Sequence, residues 1–185
     1  MIDTEQHVTI AAPIDAVWDY ACDIRRWAAL MPGMQDCEVI DDDNSRWVLK
    51  VGVGGLVRTV TVDVHVEKWD GPGHVSFAYA LKGDPVRGGG TYHATSNTAG
   101  GTDVVLCVRV EGSGPLAPMW EAMGRPLLPQ LAKGFAGQLR DAIEAHCAAT
   151  PGAAAAAGAE PTVPEPAAAK GLLAWLARMW KKLFG

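Results

Sequence analysis

The side chains of this chain that could move a proton, hold a metal or attack a substrate are few and scattered. There are five histidines, His7, His65, His74, His93 and His146. His7 and His65 fall on the outward phase of alternating segments, where solvent exposure is expected. His93 shares its phase with Thr91 and Thr95, so it reaches an interior only if the register moves by one residue. No Ser/His/Asp pattern or phosphate loop is present. Gly88-Gly89-Gly90 precedes a strand rather than a helix N-terminus, so it reads as a hairpin feature and not as a phosphate cradle. Cys22, Cys37, Cys107 and Cys147 form no C-x-x-C pair and read as reduced thiols of a cytosolic protein. Such scattered ligands do not make a tetrahedral metal set. No catalytic residue and no metal are expected, and the chain reads as a non-enzyme.

The chemistry that the composition does support is the holding of an apolar molecule. Hydrophobic residues make up 49% of the chain, enough for a sizeable core. The inward phases of the strands offer Trp47, Val51, Val53, Val62, Val64, Phe77, Tyr79, Leu106 and Val108. A long helical stretch adds Trp120, Met123, Leu127, Leu131 and Phe135. Met119 and Met123 suit a pocket that adapts to its contents. These residues are the expected lining of a site for a hydrophobic small molecule.

A second chemistry sits at the C-terminal end. The formal net charge is -5, which argues against a general nucleic-acid binder. After Ala169, however, the charged residues are Lys170, Arg178, Lys181 and Lys182, with no acid among them. On a helix at about 100° per residue, Leu172, Leu173, Trp175, Leu176, Met179, Trp180, Leu183 and Phe184 share one half. The cations take the other. The segment is too short and too charged to span a bilayer, but it has the composition of a helix lying in a membrane surface. Near an anionic leaflet each cation adds about 1 kcal/mol. The opening residues MIDTEQHVTI do not read as a secretory signal. The expected location is the cytoplasmic face of the cell membrane, as a peripheral protein.

Periodicity supplies the elements that must position these groups. Gln6 to Ile10 alternates as a strand. Pro13 to Cys22 and Ile24 to Leu30 read as helices, the second ended by Pro32-Gly33. Val39 and Ile40 lead into the polar turn Asp41 to Asn44. Alternation then marks strands around Trp47–Val53, Val60–Val66, Val75–Leu81, Thr91–Ser96 and Val104–Val110. Gly54-Gly55, Asp70-Gly71-Pro72-Gly73 and Ala99-Gly100-Gly101 read as turns, and Lys82 to Gly90 as a glycine-rich loop. Pro126 and Pro129 predict a short first helical piece, a kink near Arg125 and a main helix from Pro126 to Ala148. Residues 149–169 are mostly Ala, Pro, Gly, Thr and Glu, a linker spanning about 25 Å as a coil and roughly 65 Å when stretched. The expected organisation is a binding domain at 1–148, a flexible linker at 149–169 and an amphipathic helix at 170–185. The fold class is α+β, a curved antiparallel sheet around one long C-terminal helix.

That order resembles the helix-grip fold of the START-like, or SRPBCC, superfamily. Within it, the chain resembles the G-type subunit family of carbon monoxide dehydrogenase. The resemblance rests on Ile10-Ala11-Ala12-Pro13 followed by Val17-Trp18, on Met31-Pro32-Gly33-Met34, on Lys50-Val51-Gly52-Val53-Gly54-Gly55, and on the Ala/Pro linker with its Trp- and Lys-rich end. Arg125-Pro126-Leu127-Leu128-Pro129 departs from it and looks more like polyketide-cyclase relatives. The resemblance implies a bacterial protein that carries a membrane lipophile, an isoprenoid quinone such as menaquinone or ubiquinone, to a redox enzyme such as a molybdenum carbon monoxide dehydrogenase. No covalently held cofactor is implied. The alternatives are a membrane adaptor without ligand and a polyketide cyclase or aromatase.

Overall fold

The computed structural model describes residues 1–53, 56–115 and 117–149, the side chains of Val53 and Leu56 excepted. The chain divides into two units, Met1–Ala154 and Ala155–Gly185. The expected linker, apart from its first residue Ala149, which ends a helix, and the expected tail lie outside the described residues.

The elements in order are β1 (Ile2–Ile10), α1 (Ile14–Ala21), α2 (Ile24–Ala29), β2 (Met34–Val39), β3 (Asn44–Val53), β4 (Leu56–Asp70), β5 (His74–Leu81), β6 (Val86–Ser96), β7 (Thr102–Gly112) and α3 (Ala117–Ala149). The strands form one seven-stranded sheet in the order β1-β7-β6-β5-β4-β3-β2, antiparallel at every pairing. Register irregularities at Met34/Asp36 in β2 and Val66/Lys68 in β4 are places where a strand bends and its twist increases.

Local chemistry explains most boundaries. Pro13 occupies the N-cap position of α1, where its missing N–H costs nothing. The Asp23 carboxylate accepts from the Arg25 backbone N–H and caps α2. Gly33 then turns the chain into β2 at φ 81°, and a Cβ there would stand 2.2 Å from the Lys50 carbonyl oxygen. Only glycine accommodates both conditions.

Three expectations are corrected. β1 begins at Ile2 rather than Gln6, because the ladder from Ile2↔Val110 to Ile10↔Thr102 holds polar Asp3 and Glu5 in place. Gly88-Gly89-Gly90 is not part of a loop: it lies within β6, paired to β5 on one side and β7 on the other. α3 is one helix from Ala117 to Ala149 that runs through Pro126 and Pro129, not two pieces. Each proline removes a helical donor, and Leu127, Leu128 and Leu131 around them line the cavity described below.

The core lies where the later part of α3 meets β1, β7 and α1. Ala132, Phe135, Ala136, Leu139 and Ile143 are buried there, with Ile10, Val17, Val104 and Leu106 among the core residues around them.

Candidate functional site

The sheet curves further than one helix can fill. α3 packs chiefly on β1 and β7 and more lightly on β3. The concave face of the sheet from β3 to β7 is thereby left facing a cavity of about 230 Å³. Every expected lining residue except Val53 stands in its wall: Trp47, Val51, Val62, Val64, Phe77, Tyr79, Leu106, Val108, Trp120, Met123, Leu127, Leu131 and Phe135. The side chain of Val53 is outside the described residues.

Other lining residues escaped the reading of the sequence. Leu49, Val60 and Val66 share the inward phase of their strands, and that periodicity could have found them. Trp27 of α2 also lines the wall. Its ring centroid is 5.5 Å from Phe135, 5.6 Å from Tyr92 and 6.4 Å from Phe77. These rings close one end of the cavity.

The glycines of β6 shape the wall beside them. A Cβ on Gly88 would fall 2.5 Å from the Tyr79 ring and hydroxyl, and one on Gly90 would fall 2.6 Å from the Phe77 ring. Both aromatic rings therefore lie down across the neighbouring strand. The Tyr79 hydroxyl donates to the Arg109 carbonyl at 2.8 Å. Burial pushes its phenol well above the ordinary tyrosine range, so it stays a protonated donor.

Among the described residues lining the cavity, Arg58 alone is charged. It shares the even-numbered phase of Val60, Val62 and Val64, and a cation on that apolar face was the available signal. Its Nη2 donates to both Asp84 oxygens, at 2.7 and 3.0 Å. Its guanidinium lies 5.2 Å from the centroid of the Trp120 ring. The Arg58 side chain is 46% exposed and that of Asp84 15%, which makes this the solvent-facing end. At such exposure the pair adds little stability, so its effect is to hold the guanidinium over the indole. The Trp120 Nε1 is buried without a hydrogen-bond partner.

The histidines stand elsewhere. His7 meets Glu5 at 2.6 Å, His65 meets Asn44 at 3.0 Å, His74 and His93 face each other at 6.0 Å, and His146 packs on Tyr20. His93 is exposed. The four cysteines are free thiols, and burial pushes each of them up, away from the reactive thiolate. Among the described residues, no group of three or more His, Cys, Asp or Glu side chains is placed to hold a metal ion. No helix there is long and apolar enough to cross a membrane. Lys170, Leu172, Leu173, Trp175, Leu176, Arg178, Met179, Trp180, Lys181, Lys182, Leu183 and Phe184 lie outside the described residues.

A seven-stranded curved antiparallel sheet with a long C-terminal helix over it is the helix-grip, START-like fold. The chain belongs to the family described as polyketide cyclase / dehydrase and lipid transport, whose model matches residues 1–144. The chain is similar to a START-superfamily protein from Mycobacterium smegmatis, at 14% identity and TM-score 0.55, over 76% of this chain and 98% of that one. It is similar to the Zhui aromatase/cyclase of a Streptomyces species, at 19% identity and TM-score 0.56, over 79% and 95%. A Streptomyces cyaneus protein, named as a proposed polyketide cyclase, is 49% identical over 37 residues, which is 20% of this chain. That match spans about a quarter, 24%, of the curated relative's length. These comparisons overturn the expectation of a non-enzyme, because the family is described by polyketide cyclases and the curated relative is named as a cyclase. They support the START-like superfamily at the coarser level, without singling out the carbon monoxide dehydrogenase relatives within it.

Proposed function

We propose that the chain is a polyketide-cyclase-like enzyme whose cavity folds a poly-β-ketone chain and whose Arg58 stabilises the oxygen that becomes charged as a ring closes. The observation that carries this reading is one half-exposed cation, fixed by Asp84, at the open end of an otherwise apolar cavity. In such a reaction an α-carbon between two carbonyls gives up a proton. Its enolate carbon bonds to a carbonyl carbon further along the chain. That carbonyl oxygen takes a proton back as a hydroxyl, and loss of the hydroxyl with an adjacent hydrogen, as water, gives the unsaturated ring. The apolar wall supplies proximity by compacting the chain. The guanidinium supplies charge stabilisation where the oxyanion forms. Water at the half-exposed end carries the protons. Incubation of the full chain with a synthetic poly-β-ketone thioester, followed by mass spectrometry, tests this. Arg58→Met should abolish the protein-dependent cyclised product while the fold is retained. Undiminished product from that variant would defeat the assignment.

One observation favours a second reading, in which the same cavity delivers a lipophile. The indole and phenol groups of the described lining, Trp120 excepted, are already hydrogen-bonded within the protein, which leaves a wall suited to hydrocarbon. The isoprenoid quinone and the carbon monoxide dehydrogenase partner would belong to this reading. At about 230 Å³ the cavity falls below the usual pocket range of roughly 300–1,000 Å³, so a quinone would place its ring inside and leave its tail outside. In either reading the basic, Trp-rich residues 170–185 would hold the protein at an anionic membrane surface. Mass spectrometry of an organic extract of detergent-free protein tests the cargo. Vesicle sedimentation of the chain carrying Leu176→Glu and Leu183→Glu tests the attachment, and unchanged sedimentation would remove it.

A further inference from the structure

We propose that Phe77, seated on Gly90, is a specificity-determining residue of the cavity: its ring sets how long an apolar chain can enter from the Arg58 end. The inference deepens the reading of the cavity as a ligand site and rests on it.

A chain entering beside Arg58 runs along β4 past Val60, Val62 and Val64, which line the cavity together with Val66. Val66 lies eight residues beyond Arg58, roughly 26 Å of extended strand, and stands opposite Phe77 in the ladder. There the Phe77 ring meets the Trp27 ring, with 6.4 Å between centroids and 70° between planes. Rings at that distance and angle are in edge-to-face contact, and no methylene passes between them. The lining itself continues to Trp69 and Val75, so the ring contact is a stop set within the wall.

The rings at this end differ in how they are held. Trp27, Tyr92 and Phe135 are buried, and the Trp27 N–H donates to the Ala21 carbonyl. Phe77 is half-buried and has no polar atom to fasten it. It pairs directly with Gly90 across β5 and β6. Its ring atoms stand 2.6 and 3.2 Å from the place a Gly90 Cβ would take, so the ring fills the space of the missing side chain. Tyr79 repeats the arrangement on Gly88, but its hydroxyl is tied to the Arg109 carbonyl at 2.8 Å. The vacancy over Gly90 therefore decides where the stop stands, and the size of the Phe77 ring decides how far it projects. An apolar ring offers no hydrogen bond by which to choose a head group, so it selects by length.

The test measures affinities of the full chain for the straight-chain ketones from 2-heptanone to 2-heptadecanone. In the wild type, affinity should rise about fourfold with each methylene buried and level off once the chain meets Phe77. A Cβ on Gly90 would also fall 2.3 Å from the Cys107 carbonyl oxygen, so the ring is varied and not the glycine. Phe77→Ala should move the levelling point to longer ketones, and Phe77→Trp should move it to shorter ones. Met123→Ala, in the wall one helical turn from Trp120, should lower every affinity by a common factor and leave the point in place. A shift in the stated direction in either Phe77 variant, with the point unmoved in Met123→Ala, supports the inference. A point unmoved in both Phe77 variants, or displaced the other way, would overturn it and leave the cavity reading standing. An equal displacement in Met123→Ala would overturn it as well, because the stop would not be local to Phe77. A wild type that bound none of the ketones would remove the cavity reading and the inference together.

Discussion

The two halves of α3 perform opposite tasks with one continuous helix. From Ala132 onward, Phe135, Ala136, Leu139 and Ile143 are buried or nearly so, and Leu139 and Ile143 are fully covered. Before Ala132 no described residue of the helix is buried. Instead Trp120, Met123, Leu127 and Leu131 form a wall of the cavity. The difference comes from what lies opposite. The later half is surrounded by core residues such as Ile10, Val17 and Val104, whereas the earlier half lies by Ile2 and Val110 and borders the cavity. An apolar stripe on a helix thus seals a core at one end and lines a void at the other.

Truncation should separate the halves most sharply. Leu139→Ala removes a fully covered side chain and should cost about 3–5 kcal/mol in urea unfolding. Next in size is Gly88→Ala, whose new Cβ would fall 2.1 Å from the Arg109 carbonyl oxygen and 2.5 Å from the Tyr79 ring. Overpacking of that kind should cost about 1–3 kcal/mol, seen as a lower melting temperature. Leu127→Ala should cost only about 1 kcal/mol, because its half-buried side chain already borders empty space, and it should alter ligand affinity instead. Equal losses for Leu139→Ala and Leu127→Ala would break the comparison between the two halves.

The smallest effect is one of pH. Burial raises the phenols of Tyr79, on the cavity wall, and Tyr92, in the core, above their ordinary value of 10.0. The folded chain then keeps protons that the unfolded chain has released. Stability from these groups is whole below about pH 10 and is lost as pH rises above it. Unfolding midpoints measured from pH 9 upward should decline, and Tyr92→Phe should flatten the decline. The same slope in that variant as in the wild type would assign the effect to other groups.

Much of the site was legible because strands declare their faces locally. Alternation alone placed Val62 and Val64 on one side and His65 on the other, and their exposures agree. Arg58 stood on the same inward phase and was missed, since a cation on an apolar face reads as the frayed end of a strand until something is seen to hold it. Trp27 was missed because a six-residue helix gives too little periodicity to show which way its tryptophan points.

The amino-acid sequence by itself determined the period of each element, the polar turns, the antiparallel sheet with one covering helix, and the basic Trp-rich composition after Ala169. These are properties of neighbours along the chain, and side-chain period and turn chemistry record them directly. Tertiary structure decided that Gly88, Gly89 and Gly90 belong to a strand, because only β5 and β7 on either side supply the ladder and only the Phe77 and Tyr79 rings fill the space. It decided that α3 passes unbroken through two prolines, a course that local propensity does not favour. It also decided that Trp120 lacks an acceptor while the other wall indoles have theirs. Hydrogen-bond partners are set by residues far apart in sequence, and no local pattern encodes which donor is left over.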